Sequence, residues 1–400
     1  MILEIIIALL LGIIVGTFTG LAPGIHINLI ATLLLASLSK FTNTPLIALA
    51  VFITSMSITH TFLDFIPSIF LGAPDEDTFL SILPGHEMLK QGQGYQASVL
   101  TLYGSLIALP IIIIFTPLFA IFLPEFFNII KAIIPYLLIF LSFYLIFREK
   151  NILNALVVFL LAGFLGFATF NLPVKDPLLP LLTGLFGLSS LIISIKTNQQ
   201  LHKQTISPLK SIRLTKLEFW KASLSAAVAA PLCSFLPGIG SGHAATLASE
   251  FIPQKRKGFL FLTGAINTII MAMSFVTIYA INRARSGSAA AIKSLLTEIT
   301  LQNLIIIIAM VIISGIVAFF LGIKLSKLFA IHINKISYKK LSIAVIIILF
   351  IVNIIFTNWL GLLVLITSSA LGVFCILSNS RRINMMAALI VPAVLYYLIS

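Results

Sequence analysis

Pro23-Gly24-Ile25 interrupts a run of apolar sequence, and Pro237-Gly238-Ile239 interrupts another in the second half of the chain. The same triplet follows each at the same offset, Ala31-Thr32-Leu33 and Ala245-Thr246-Leu247, so that six of eleven positions are identical. A Pro-Gly step stops a helix, and a helix stopped at membrane depth exposes backbone groups that only protein or a water-filled cavity can satisfy. Interruptions at corresponding places in two halves are the pattern expected of transporters with internal repeats, and they point to a substrate site. The alternative reading of one Pro-Gly, a tight turn between packed helices, does not account for two copies with matched flanks.

The surroundings of the breaks are membrane sequence. Of 400 residues, 60% are apolar and 9% charged, against about 25% charged in a soluble domain. Runs such as Ile111–Leu123, Ile152–Phe170 and Leu341–Phe356 need hydrocarbon around them. The expected fold is an all-α polytopic membrane protein, with no strand alternation pointing to a barrel. The formal net charge of +13 reads as the positive-inside signal and not as a nucleic-acid footprint. Cys233 and Cys375 lie far apart in apolar segments and read as buried thiols, without disulfide or metal spacing. Met1-Ile2-Leu3-Glu4 lacks a basic signal-peptide region and reads as the start of the first structural helix.

A span needs about 20 apolar residues. By that ruler the first half gives Ile2–Leu21, the break, a short segment, and spans near 45–71, 97–123, 129–147, 152–170 and 178–195. The second gives 219–236, the break, a short segment, and spans near 258–281, 301–323, 341–356, 360–377 and 384–399. Each half is a broken-helix, re-entrant-type hairpin followed by about five transmembrane helices. Five is odd, so the second copy starts on the opposite face and the two repeats are inverted. The expected division is residues 1–196, a basic cytoplasmic linker 197–218, and residues 219–400. Odd-even assignment puts 19 of the 25 Lys and Arg on one side, which is then cytoplasmic, with both termini outside in a multi-pass plasma-membrane protein. The linker attracts anionic headgroups but reads chiefly as a solvated connector. Two loops at equivalent positions, 72–96 and 282–300, carry charges that fit this assignment poorly and are expected to fold back toward the site.

A helix that restarts after a break presents free N–H groups and a positive dipole end, which favour anions. The candidate substrate-binding residues are Pro23, Gly24, His26, Asn28 and Thr32 at the first break. At the second they are Pro237, Gly238, Gly240, Ser241, His243 and Thr246. Ionisable groups inside spans are costly and mark function. Asp64, with His60 one turn before it on the same face, and Asn267 in the equivalent span are the candidates for coupling H+ or Na+. No cofactor or metal is implied, and no catalytic residue. Ser241 and His243 stand two apart on a helix, facing different ways with no acidic partner, so an enzyme is not expected.

The stretch Gly16-Thr17-Phe18-Thr19-Gly20-Leu21-Ala22-Pro23-Gly24 and its Pro237-Gly238-Ile239-Gly240 counterpart resemble the large membrane subunit of tripartite tricarboxylate transporters. So does Leu71-Gly72-Ala73-Pro74 followed by Gly85-His86-Glu87-Met88-Leu89-Lys90-Gln91-Gly92. The resemblance spans both halves and departs at Ala73-Pro74, Pro84, His26 and Asn28. It implies a permease that moves a small anionic solute, a carboxylate, by secondary active transport. It also implies a small membrane subunit and an extracellular solute-binding protein as partners, with no nucleic acid. Polyprenyl-phosphate translocases are similar in their Pro-Gly hairpins, so movement of a lipid-linked phosphate between leaflets is the alternative.

Overall fold

A computed structural model describes residues 2–22, 27–41, 44–72, 78, 82–196, 202–235, 240–296, 298–333 and 338–399. Among them there is no strand. The first half runs α1 (Ile2–Leu21), α2 (Ile27–Ala36), α3 (Leu46–Leu63), α4 (Phe65–Leu71), α5 (Ile82–Lys90), α6 (Gly94–Phe147) and α7 (Ile152–Asn171). It closes with α8 (Leu178–Leu182) and α9 (Ser189–Lys196), joined by a π-helical turn, Thr183–Leu188. The second half runs α10 (Lys216–Cys233), α11 (Ser241–Phe251), α12 (Arg256–Ile281) and α13 (Gly287–Leu296), then α14 (Leu301–Ile333), α15 (Tyr338–Phe356), α16 (Trp359–Leu377) and α17 (Ala387–Ile399). Eight helical stretches among the described residues are long and apolar enough to cross a membrane, and Pro135–Phe147, Leu178–Ile193 and Ser342–Phe356 are shorter apolar helices.

Two expected boundaries differ. The spans near 97–123 and 129–147 belong to one helical run, α6, with Pro110, Pro117, Pro124 and Pro135 inside it. A straight helix of that length would reach about 80 Å. The run instead doubles back. The turn before Gly94 meets Arg256 through Gln91, Arg148 just after Phe147 pairs with Glu250, and Glu250 and Arg256 line one cavity. Phe119 and Phe127 both pack on Phe235, which places the reversal around Pro124. The span near 45–71 is present with one irregular residue, Asp64, between α3 and α4. Pro67, three residues on, lacks the N–H that would bond to Leu63, and the helix loosens there.

Helix contact is made by small residues, as packing without a hydrophobic drive between helices requires. Gly12, Gly16 and Gly20 line one face of α1 and lie on α3, where a methyl at Gly12 would come 2.6 Å from the Phe52 carbonyl oxygen. The other face of α1, including Ile6, Leu10 and Ile14, is exposed to lipid. α3 and α12 are buried almost all round and form the centre. Around them the halves interlock: α3 packs on α14, α12 on α6, α7 on α17, and α16 on the α8–α9 segment. Ser98 and Ser326 hydroxyls meet at 2.7 Å between α6 and α14, and Ser105 donates to the Gly264 carbonyl at 3.0 Å between α6 and α12.

The loops 72–96 and 282–300 each carry a helix that folds back, α5 against α4 and α12, α13 against α2 and α3. The linker is less solvated than its composition suggests. Gln204 is buried, donates to the Leu89 carbonyl at 2.8 Å, and accepts from the Gly94 N–H at 2.9 Å. The end of α5 and the start of α6 leave such groups without helical partners, and the linker supplies them.

Candidate functional site

In both halves a helix stops and a new one starts across the break: α1 ends at Leu21 and α2 begins at Ile27, α10 ends at Cys233 and α11 begins at Ser241. Pro23, Gly24, His26, Pro237 and Gly238 themselves lie outside the described residues, as do the side chains of Thr32 and His243. Of the remaining candidates at the breaks, Ser241 is buried and Gly240 half-buried at the start of α11. Thr246 is buried one turn further on. Asn28 has another commitment: its side-chain oxygen accepts the Ser288 N–H at 3.1 Å, tying the first turn of α2 to the first turn of α13.

The coupling candidates come together at the centre. Asn267 on α12 donates its amide to Asp64 Oδ2 at 2.9 Å, across the two halves of the chain. One turn before Asp64, the His60 ring nitrogen Nδ1 lies 3.1 Å from the Thr19 hydroxyl, at the end of α1 beside the first break. Between them, the Thr61 and Thr268 hydroxyls lie 3.5 Å apart across the α3–α12 contact. All of these side chains are buried. A charge-assisted bond to an amide is one of the few ways to hold a carboxylate away from water.

Sequence reasoning missed further buried polar groups on α3, of which Ser55 and Thr59 face the glycine stripe of α1. Thr54, Ser55, Ser57 and Thr59 on α3 are fully buried, and their hydroxyl oxygens have no hydrogen-bond partner among the described residues. Buried polar groups are nearly always paired, so four on one helix mark a place where something polar is met. The signal was present in the run Thr54-Ser55-Met56-Ser57-Ile58-Thr59-His60-Thr61, whose hydroxyl density is unusual for a span.

A second polar region opens at the charged face. A cavity of about 480 Å³ lies between α5, α11 and the start of α12, with Thr246, Ser249, Glu250, Arg256, Arg381 and Arg382 among its lining residues. Arg256 pairs with Glu87 at 2.5 Å, Arg381 with Glu149 at 2.7 Å, and Arg148 with Glu250. Beside it, α4 ends at Gly72, whose φ of 68° is the left-handed region that glycine enters freely. His86 on α5 closes that end, donating from Nδ1 to the Ile69 carbonyl at 2.9 Å. α5 is not among the spanning segments, and burial pushes the His86 pKa down to about 4, with the Ile69 carbonyl opposing and Lys90 and Arg382 adding to the drop. Its imidazole is neutral at ordinary pH. Among the described residues, no group of three or more His, Cys, Asp and Glu gathers to hold a metal.

The sequence model of the tripartite tricarboxylate transporter TctA family matches residues 6–387. Uncharacterized protein MJ1079 of Methanocaldococcus jannaschii is 34% identical over 405 residues, covering 98% of each chain. No solved structure matches.

Proposed function

The chain belongs to the tripartite tricarboxylate transporter TctA family, and on that premise we propose that it is a secondary active permease for a small anionic solute, a carboxylate, coupled to H+ or Na+. The observation that carries the coupling is the buried Asp64 carboxylate bonded to Asn267 across the halves. An ionisable group at this depth is costly and is the natural carrier of a proton or a monovalent cation. The unpaired hydroxyls of Thr54 and Ser57, on α3 away from its contact with α1, support a polar path along that helix.

The interlocked contacts support two inverted repeats, 1–196 and 219–400. In each, the first long helix after the break packs on the next long helix of the other half. In that arrangement the restarting helices α2 and α11 approach from opposite faces and offer N-terminal ends to an anion. Pro23, Gly24, His26, Thr32, Pro237, Gly238, Gly240, Ser241 and His243 shape the anion site in this reading. The word tripartite in the family's description supports further components, which this reading takes to be a small membrane subunit and an extracellular solute-binding protein.

Uptake of labelled citrate and succinate into proteoliposomes under an imposed proton or sodium gradient tests this. Asp64→Asn keeps the shape and loses the charge. It is expected to lower gradient-driven uptake at least tenfold while leaving the detergent-solubilised protein folded. If neither carboxylate moves and a short-chain polyprenyl phosphate crosses instead, the lipid-linked reading replaces this one.

A further inference from the structure

The cavity at the charged face carries an uneven set of charges. Four guanidinium groups, Arg148, Arg256, Arg381 and Arg382, gather in and behind its wall with three carboxylates, Glu87, Glu149 and Glu250. Arg256 is held by Glu87, Arg148 by Glu250, and Arg381 by Glu149 with Glu250 at 3.6 Å. Arg382 has no ion pair among the described residues. Its guanidinium donates only to the neutral hydroxyl of Ser190, at 2.7 Å. The carboxylates of Glu87 and Glu250 in the wall are held by Arg256 and Arg148; a guanidinium withdrawn from bulk water without a carboxylate of its own is poorly compensated, and an anion entering the cavity supplies what is lacking.

The position of the cavity is equally specific. Thr246 and Ser249 stand one turn apart on α11 and both line it. α11 starts at Ser241, directly after the second break, and Glu250 near its end also lines the cavity. The helix therefore spans about 14 Å from the break to Glu250. A volume of about 480 Å³ is in the range of small-molecule sites.

We propose that this vestibule is an anion-binding site in which Arg382 anchors a carboxylate group of the solute at the mouth of the path that leads along α11 to the second break. Thr246, Ser249 and Gln254 offer the hydrogen bonds that orient the rest of the molecule. The inference rests on the permease reading for its biological meaning, and on the charge count alone for the existence of the site.

Calorimetric titration of the purified full chain with citrate and with inorganic phosphate tests the site, and citrate uptake by proteoliposomes tests the path. Arg382→Gln is expected to weaken citrate binding at least tenfold without lowering the melting temperature of the free protein. Arg382→Lys should fall between, because an ammonium keeps the charge and loses the planar fork. A second measurement does not depend on that variant folding. Ser249→Cys is treated with an anionic or a cationic methanethiosulfonate, to which the native thiols Cys233 and Cys375 are inaccessible by burial. The anionic reagent should abolish citrate binding and the cationic one should not. Wild-type protein that binds neither anion, an R382Q protein that binds citrate normally, or equal effects of the two reagents on S249C each overturn the site. Binding that depends on Arg382 without any citrate uptake leaves the site standing and removes the permease reading. Uptake indifferent to R382Q in folded protein does the reverse.

Discussion

Asp64, His60 and Asn267 were visible in the sequence for one physical reason: each is a polar or ionisable group in a segment that has no other use for it. Their partners were not visible. Asp64 reads as a neighbour of His60 by helical spacing, yet a bond that stabilises it comes from Asn267 on the other half of the chain, and no periodicity within α3 encodes a contact with α12. Asn28 shows a second kind of unseen partner. A polar side chain after a break reads as a ligand to substrate, while its oxygen is committed to the first turn of α13. In the sequence His86 is only part of a motif, and its burial in the fold gives it a measurable role. Its pKa lies near 4 in the fold, against about 6.5 in an unfolded chain. Between these values the unfolded state binds more protons, so stability rises with pH there. The contribution is complete above about pH 6.5 and is lost as pH falls toward 4, amounting to up to about 3 kcal/mol. Melting temperatures of the detergent-solubilised protein measured from pH 7 to pH 4.5 should fall, and His86→Asn should flatten that slope. A slope unchanged in the variant would assign the acid sensitivity to other groups.

At the scale of elements, apolar length located nearly every helix, because a membrane span is specified by little else. Boundaries set by proline were harder. Pro124 reads as the gap between two spans, and in α6 the helical bonding continues around it while the chain reverses. Pro67 reads as interior, and it loosens the helix at Asp64, the candidate coupling residue. One close element contact, α1 on α3, follows from the spacing of Gly12, Gly16 and Gly20, a stripe present in the sequence whose partner only the fold supplies. A methyl at Gly16 would meet the Met56 carbonyl and come 2.8 Å from Thr59 Cβ. Since both helices are otherwise well packed, Gly16→Leu must push α1 away from the helix that carries His60. The expected cost is about 1–3 kcal/mol, read as a lower melting temperature and faster proteolysis in detergent. Ile14→Leu, on the lipid-exposed face, is the control that should change neither.

The whole molecule poses the question of sidedness. Nineteen of 25 basic residues fall on one side by span counting, and the structure links several of them physically. His202 bonds to the Lys90 carbonyl at 2.7 Å, Arg256 pairs with Glu87, and Arg381 with Glu149, within one charged face. On the opposite face Asn358 donates to the Pro173 carbonyl at 2.6 Å, and Arg283 stacks on Phe127 with 4.8 Å to the ring centroid. By the positive-inside rule the first face is expected to be the cytoplasmic one. On that expectation the proposed vestibule around Arg382 would be the inner mouth of the path, and a solute-binding protein would meet the other face. Ser211 lies exposed in the linker and Asn171 lies exposed at the end of α7, next to Pro173. With Cys233 and Cys375 buried, single cysteines at these two positions report sidedness directly. In intact cells a membrane-impermeant maleimide should label Asn171→Cys, and should reach Ser211→Cys only after permeabilisation. The reverse pattern would turn the molecule over, placing the Arg382 cavity outside and making it the entry mouth. Labelling of both from one side would break the odd span count on which the inverted repeats depend.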